Sequence, residues 1–507
     1  MKYYNQFKQF FKQNNGSLIM LTTFISGLIC HFYQYVNNIV FYDGYWNFPY
    51  HIANEWEISL GRFLLPTIDG LRAGITTGIM VIVIGLLLFS IINLLIINLL
   101  DIKNNYLKVL ICILMVINPV FSTLLLFQYT SISYFLAIFL AVLSIYCLHQ
   151  KTTWFNIFLA LICMVLSLSL YQAYFCVMVT LEIIILYCHL LKKESPISTQ
   201  LKLTIRNYLF IFLGCILYFI ILLLFLSNKN LVLSSYGGAN EKIYLTIFRN
   251  LPYFISNCYN SFYQFFFTDK IYFNLNWHRH LYYGVINVII WINTIILIIQ
   301  NKLKWNKIGL LLLIWGLYPV FSSAIKIIGE TISLNYLMGY SYLFIFLIMF
   351  KQLDIMNLNI ITDAIKWLSL GVIILLFGGY FYSNNATYVT IDQFDKQTEA
   401  GIQRIQSSII QNYPQYLDKK VLYINNIKYS GNDIRFFVNF NINNGFPWVT
   451  NSIANAYFNT LKSTNNYVFY GPPFLDETVI NTINALPAYP DPNSLWQVQD
   501  YLIVKLG

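Results

Sequence analysis

Charge is what this sequence has least of. Only 10% of its 507 residues are Asp, Glu, Lys or Arg, where a soluble domain carries roughly 25%. That shortage excludes a soluble enzyme and a disordered chain. Cysteine builds no framework either. Seven of the eight cysteines sit in apolar stretches, none has CxxC spacing, and none follows Cys258. A disulfide scaffold is thereby excluded, and the cysteines read as small buried hydrophobes. A cysteine-free C-terminal part suits a bacterial envelope that does not depend on disulfides. The sequence has no phosphate-binding glycine loop, no dinucleotide fingerprint and no nucleophile elbow. It shows no repeat and no cleavable signal. Lys2, Lys8 and Lys12 instead precede an apolar stretch that reads as a signal anchor.

What is present is apolar mass. Hydrophobic residues make up 58% of the chain, and the mean hydropathy is +0.59. A membrane span needs about 20 apolar residues. Candidate spans are 17–36, 76–100, 107–127, 131–149, 154–172, 174–191, 208–227, 281–300, 308–325, 336–350 and 366–383, eleven in all. The expected fold is an all-α polytopic membrane protein over residues 1–383, followed by a small α/β domain over 384–507. The net charge of +10 raises the thought of nucleic acid, but the basic residues lie at span ends, where they set topology. With the N-terminus inside, fifteen Lys and Arg fall on inner segments and eight on longer outer loops, the rest lying in the tail. An odd number of spans then puts the C-terminal domain outside.

The outer pieces hold the polar chemistry. Loop 37–75 carries Asp43, His51, Glu55, Glu57, Arg62, Asp69 and Arg72, and loop 228–280 carries Asp269, His278, Arg279 and His280. The aromatic stretch 252–268 suits an interfacial helix. In the tail, 391–412 has helical spacing, while Lys420–Asn425, Tyr467–Tyr470 and Tyr501–Val504 read as strands or apolar runs.

Asp43, among aromatics at the mouth of an apolar bundle, is either a general base whose pKa desolvation raises or a solvated loop acid. Arg62 follows Gly61, which lets the chain come close to a ligand; it is either a bidentate phosphate contact or a snorkelling anchor. Glu182, inside the sixth span, must be paired or protonated. His278 and His280 lack the companion ligands a metal site needs.

The run Asp43, Trp46, Trp56, Ser59, Gly61, Arg62 and a following aromatic resembles the first loop of the serotype-converting O-antigen glucosyltransferases of the Gtr type II family. So do Asn118-Pro119 with Phe127-Gln128-Tyr129-Thr130, the run Leu168-Ser169-Leu170-Tyr171-Gln172-Ala173, and a tail with a helix after Asn384–Tyr388 and an end at Val504–Gly507. Two positions depart from the pattern: Phe63 stands where tryptophan is more usual, and Ser131-Ile132-Ser133 supplies no acid after Tyr129-Thr130. The resemblance implies a GT-C type membrane glycosyltransferase. It would move a hexose, glucose by the family name, from an undecaprenyl-phosphate donor to an envelope glycan such as an O-antigen, outside the cytoplasmic membrane. In that architecture Asp43 is the expected catalytic base. Candidate substrate-binding residues are Arg62, Arg72, Trp46, Trp56, Glu55, Tyr171, Gln172, Arg279 and Lys326. Expected partners are the lipid-linked donor, the glycan acceptor, the bilayer, a donor-synthesising transferase and a flippase, with no nucleic acid. No cofactor is implied, and a divalent metal is left open.

Two other readings share the polytopic frame. A glycan polymerase or ligase would lean on Arg and His in its outer loops, which only 228–280 supplies. A lipid-glycan flippase would show facing polar or broken helices, often in two related halves.

Overall fold

The computed structural model describes residues 9, 11–40, 44–47, 50–151, 153–193, 196–235, 250–268, 278–327, 336–357, 360–413, 420–424, 481–482, 485–488, 491–498 and 501–505. It divides into two compact units, one made of Met1–Asn38 and Pro49–Asn385, the other of Ile39–Phe48 and Ala386–Gly507.

The first unit is a helical bundle. Its elements are α1 (Gly16–Cys30), the short loop helices α2 (Glu55–Ser59) and α3 (Leu65–Leu71), α4 (Gly78–Leu99), α5 (Asn105–Ile117), α6 (Pro119–Leu126), α7 (Gln128–His149), α8 (Trp154–Leu170) and α9 (Phe175–Leu190). Then come α10 (Ile197–Asn228), α11 (Leu251–Phe267), α12 (His278–Gln300), α13 (Trp305–Ser322), α14 (Ile345–Ile355) and α15 (Ile360–Asn412), whose residues from Ala386 on count with the second unit. Polar caps start the long helices where the apolar runs begin. Thr77, Asn104 and Thr153 accept backbone N–H groups at the starts of α4, α5 and α8, meeting donors that a helix leaves unpaired.

Seven helical stretches among the described residues are long and apolar enough to cross a membrane, against about eleven expected. Two expected spans, at Gly16–Cys30 and Trp154–Leu170, are shorter apolar helices of 15 and 17 residues. The expected span 336–350 is not one helix: 3₁₀ turn Tyr336–Met338, helical turn Tyr340–Leu343 and α14 follow one another. Gly339 lies at that break and packs closely, since a Cβ there would lie 2.6 Å from the Phe265 ring.

Burial separates core from periphery. α9 is buried almost all round and packs against α10, α13 and α14. α10 buries only the stripe Thr204, Asn207, Ile211, Gly214, Tyr218, Leu222 and Leu226. Its other face exposes Phe212, Phe219, Ile220 and Leu224, the pattern of a helix whose outer face meets lipid.

The break between α5 and α6 shows how the bundle keeps buried backbone paired. Pro119 has no N–H and ends α5, so the last carbonyls of α5 lose their helical partners. Side chains replace them. Asn118 Nδ2 donates to the Leu114 and Met115 carbonyls at 2.8 and 3.0 Å, while its Oδ1 caps the Phe121 N–H of α6. Tyr340 donates to Met115 O at 3.1 Å, His31 Nε2 meets Val116 O at 2.7 Å, and Asn384 donates to Ile117 O at 2.7 Å.

Successive helices place their ends alternately, and contacts identify the two ends of the bundle. One end gathers Asp101, Lys103, Lys192, Lys307, Lys351 and Asp354. Lys351 Nζ donates to Asp101 O at 2.6 Å and Asp354 Oδ2 at 3.0 Å, and Asp354 Oδ1 accepts the Lys103 and Asn104 N–H groups. Lys307 Nζ caps the Lys192 and Lys193 carbonyls beyond α9. The other end gathers residues 50–77, the start of α7, and Tyr171-Gln172.

In the second unit, the described residues include the end of α15 and a three-stranded sheet of β1 (Lys420–Ile424), β2 (Leu495–Val498) and β3 (Tyr501–Lys505). The order is β1-β3-β2, with β1 parallel to β3 (Lys420 opposite Tyr501) and β2 antiparallel to it (Leu495 opposite Val504). The central strand buries Leu502, Ile503 and Val504 in succession, as a strand covered on both faces does. The expected strand Tyr467–Tyr470 lies outside the described residues.

Candidate functional site

The loop end of the first unit is built on α2. Asn54 opens it: its Oδ1 accepts the Trp56 N–H, and Glu57 Oε2 accepts the Asn54 N–H, each at 2.8 Å. This reciprocal cap holds a five-residue helix that would not persist alone. The helix ends at Gly61, whose φ is +89°. Gly61 N–H bonds to Ile58 O at 2.8 Å and Arg62 N–H to Glu57 O at 2.9 Å, the paired bonds of a Schellman ending, which needs a left-handed residue at that point. Gly61 thus fixes the direction in which the chain presents Arg62.

Side chains from α10 and from the turn after α8 hold this ending from below. Gln172 Nε2 donates to Leu60 O at 2.6 Å and to the Tyr218 hydroxyl at 2.9 Å, and that hydroxyl donates to Gly61 O at 2.9 Å. Phe63 stacks on Phe225 with ring centres 4.6 Å apart. Leu64 N–H reaches Ser169 O at 3.3 Å. No room is left at Gly61, where a Cβ would overlap Gln172 Nε2 and the Tyr218 hydroxyl.

Arg62 stands over this base. Its Cζ lies 4.8 Å above the centre of the Tyr171 ring, a cation–π arrangement. Tyr171 packs against Tyr134 at 4.4 Å between centres. Burial works against the guanidinium charge, but the hydroxyls of Tyr134, Tyr171 and Tyr129 and the Glu57 carboxylate favour it, and the balance is upward. Arg62 Nε is buried with no hydrogen-bond partner. Among the described residues no hydrogen bond or ion pair engages any of its five N–H donors. A half-buried guanidinium with its donors unspent has the chemistry to receive an oxyanion.

Arg72 is differently placed. It pairs with Asp69 at 2.7 Å and donates to the Tyr129 carbonyl and more weakly to Gly74 O and Ile75 O. Asp69, 1% exposed, also accepts the Ala53 N–H at 2.8 Å. Arg72 therefore clamps the loop to the start of α7. His51 sits edge-on to Tyr129, with its Nε2 3.6 Å from Glu57 Oε1. Burial pushes the Glu57 carboxyl up, while His51 and the Asn54 N–H pull it down further, so it lies below its ordinary value.

Of the residues expected at the site, Arg62, Tyr171 and Gln172 come together. Glu55 and Trp56 lie exposed on α2. Lys326 lies half-buried in the 3₁₀ turn Ala324–Ile327. Asp43 lies outside the described residues, as do the side chains of Trp46 and Arg279. Tyr134 and Tyr218 were not foreseen, because a tyrosine in an apolar run gives no sign of which way its hydroxyl turns. Glu182 has partners that the sequence does not name. His149 Nε2 lies 2.8 Å from Glu182 Oε2, and Asn207 donates to Oε1 at 3.1 Å. No group of three or more His, Cys, Asp or Glu able to hold a metal ion occurs among the described residues.

A family model described as Glucosyl transferase GtrII matches residues 7–346 of the chain. No curated protein and no solved structure matches it.

Proposed function

The chain belongs to the Glucosyl transferase GtrII family, and from that premise we propose that it takes glucose from a polyprenyl phosphate and adds it to an envelope glycan on the outer face of a bacterial cytoplasmic membrane. The observation that supports this reading is Arg62. A glucosyltransferase with a lipid donor must bind a phosphate where the bundle meets the interface. Arg62 offers an unpaired guanidinium at the loop end of a bundle whose long helices are apolar.

In the proposed reaction, Asp43 accepts the proton of an acceptor hydroxyl. The hydroxyl oxygen attacks C1 of the sugar, the bond from C1 to the phosphate oxygen breaks, and polyprenyl phosphate leaves with the electron pair. Attack opposite the leaving group inverts the anomeric centre. Arg62 stabilises the charge growing on the leaving phosphate, an interaction that strengthens toward the transition state. Trp46, Trp56, Glu55 and Arg279 are proposed to line the approach of the glycan or lipid, with Lys326 as a further phosphate contact. Residues 384–507 are proposed as the extracytoplasmic domain.

The lysine distribution between the two ends of the bundle supports a sidedness. The end with Lys103, Lys192, Lys307 and Lys351 is the lysine-rich one and belongs in the cytoplasm, which turns the Arg62 end outward. A transporter reading draws on the broken helix at Asn118-Pro119. Its freed carbonyls, however, are taken up by Asn118, Tyr340, His31 and Asn384, so they form no ion site.

The test is Asp43→Asn and Arg62→Gln in cells, with envelope sugar analysis. Both are expected to abolish side-chain glucose while the protein still reaches the membrane. Full glucosylation in either well-expressed variant overturns the role given to that residue, and a reporter showing a cytoplasmic C-terminus overturns the sidedness.

A further inference from the structure

Many buried hydroxyls of this bundle close on a carbonyl one turn back. Thr23, Ser90, Thr123 and Ser131 do so, at 2.7 to 2.8 Å. Thr130 and Ser133 do not. Thr130 is 3% exposed and Ser133 0% exposed, and among the described residues neither hydroxyl has a hydrogen-bond partner. A buried hydroxyl without a partner is costly, and one left open in a native fold calls for an explanation.

Their position supplies one. Thr130, Ser133 and Tyr134 stand at i, i+3 and i+4 on the first turns of α7, so they share one face of that helix. That face packs on the end of α8: Ser167 donates to Ala137 O at 2.8 Å, and Tyr134 lies against Tyr171. Tyr171 is the ring beneath Arg62. The two open hydroxyls are bracketed in sequence by Tyr129 and Tyr134, and Tyr134 packs on the ring beneath Arg62. Open polar atoms occur elsewhere, at Asn93, Thr180 and both amide atoms of Asn293 for example, but these two fall together on the helix face that carries Tyr134, which packs on the ring beneath Arg62.

We propose that Thr130 and Ser133 form a subsite for the hydroxyl groups of a hexose, occupied by the sugar of the donor. This rests on the reading of Arg62 as the phosphate contact. In a sugar phosphate, C1 is one oxygen from phosphorus, so a phosphate held by Arg62 puts the pyranose ring beside it. Each side-chain hydroxyl can donate to one sugar oxygen and accept from another. Thr130 and Ser133 are neutral, so contacts to them sort hexoses by the placing of their hydroxyls. Thr130 and Ser133 are positioning and specificity residues.

The experiment uses the full-length protein in lipid nanodiscs, with a short-chain polyprenyl-phosphate glucose as donor and the sugar-free polyprenyl phosphate as competitor. Thr130→Val and Ser133→Ala each remove a hydroxyl at nearly constant volume. Each is expected to raise the donor KM about five- to tenfold, to leave inhibition by the sugar-free lipid unchanged, and to leave the melting temperature the same or higher. Thr130→Ser, which keeps the hydroxyl, is expected to behave like the parent. Ser131→Ala, on the same turn but bonded to backbone, is expected to lower the melting temperature with no change in donor KM. Arg62→Gln is expected to weaken sugar-free lipid phosphate at least tenfold, which tests the phosphate reading separately. An unchanged donor KM in the Thr130/Ser133 double variant overturns the subsite. So does a rise confined to the acceptor KM, or a fall in melting temperature on removing the hydroxyls.

Discussion

Gly61→Ala is the sharpest perturbation available at the site, because the added carbon has nowhere to go. It would overlap Gln172 Nε2 and the Tyr218 hydroxyl and lie 3.4 Å from Leu222 Cδ2. Both polar groups must move away. Leu60 O then loses the 2.6 Å bond from Gln172, and Gly61 O loses the 2.9 Å bond from Tyr218. Each carbonyl left unpaired costs about 1–3 kcal/mol. Alanine at φ +89° adds roughly 1–2 kcal/mol. The local cost is therefore about 3–8 kcal/mol on those two principles, more than the Schellman ending can absorb unchanged. The cheapest relaxation opens that ending, and the next residue is Arg62. A shift of about 1 Å in a positioning group costs on the order of 100-fold in rate. The assay is glucosyl transfer by purified, monodisperse protein, with a thermal melt alongside. We expect at least a 100-fold loss of transfer and a lowered melting temperature. Gly70→Ala is the control, since a Cβ at Gly70 meets nothing within 4 Å, and it is expected to be silent. Transfer by Gly61→Ala within threefold of the parent, with an unchanged melt, would refute the claim that this turn aims Arg62.

Asp69→Asn breaks a buried pair and leaves Arg72, 8% exposed at the side chain, without its counter-charge. The expected loss is about 3–5 kcal/mol, read as faster proteolysis in the 50–77 loop and a lower melting temperature, with part of the loss recovered on adding Arg72→Met. Asn118→Ala removes the cap of α6 and uncovers the Leu114 carbonyl, at an expected cost of about 1–3 kcal/mol; a melting temperature unchanged by the substitution would remove Asn118 from the repair of that break. Glu57 has a carboxyl held below its ordinary value of 4.5 by His51 and the Asn54 N–H, against the opposing push of burial. A depressed carboxyl pKa stabilises the folded state above the unfolded pKa and loses that contribution as pH falls through the folded one. The stability gap between the parent and Glu57→Gln is therefore expected to be constant near neutrality and to close as pH drops below about 4.5. A gap that widens on acidification would contradict the sign.

Much of the bundle can be read from apolar run length alone. The helices at Gly78–Leu99, Gln128–His149 and Leu281–Gln300 sit where uninterrupted hydrophobic residues outlast the bilayer core. The limits show at 336–350, where composition is apolar but the chain runs as a 3₁₀ turn, a helical turn and α14 rather than one helix. Strands β1 and β3 are visible as β-branched and aromatic runs, but their parallel pairing is not, since nothing in either run names a partner far along the chain. The same limit governs charge. Arg72 and Arg62 look alike in sequence, ten positions apart in one loop, yet one is spent on Asp69 and carbonyls while the other is unspent. Glu182 finds His149 on another helix, a pairing that spacing does not disclose. Tyr171-Gln172 entered only through family resemblance, and its reason becomes physical once Gln172 is seen under Leu60.

The way this bundle treats its buried polar groups gives Arg62 its weight. An apolar interior makes an unpaired polar group expensive, and at most positions the fold avoids that cost. The carbonyls freed by Pro119 are met by four side chains. Lys351 is closed on Asp354 and Asp101 O, and Glu182 on His149 and Asn207. Against that background stand the open guanidinium of Arg62 and the open hydroxyls of Thr130 and Ser133, linked through Tyr171 and Tyr134. The open groups also have the right mixture for the proposed donor: a permanent positive charge for phosphate and neutral hydroxyls for a sugar. The Tyr171 ring beneath Arg62, backed by Tyr134, fits the same purpose, because an aromatic face supports a cation without spending its N–H donors, whereas a carboxylate brought to the guanidinium would pair with it and close it. Replacing Tyr134 by Glu should therefore abolish binding of polyprenyl phosphate while leaving Arg62 in place, and replacing it by Phe should weaken that binding only modestly.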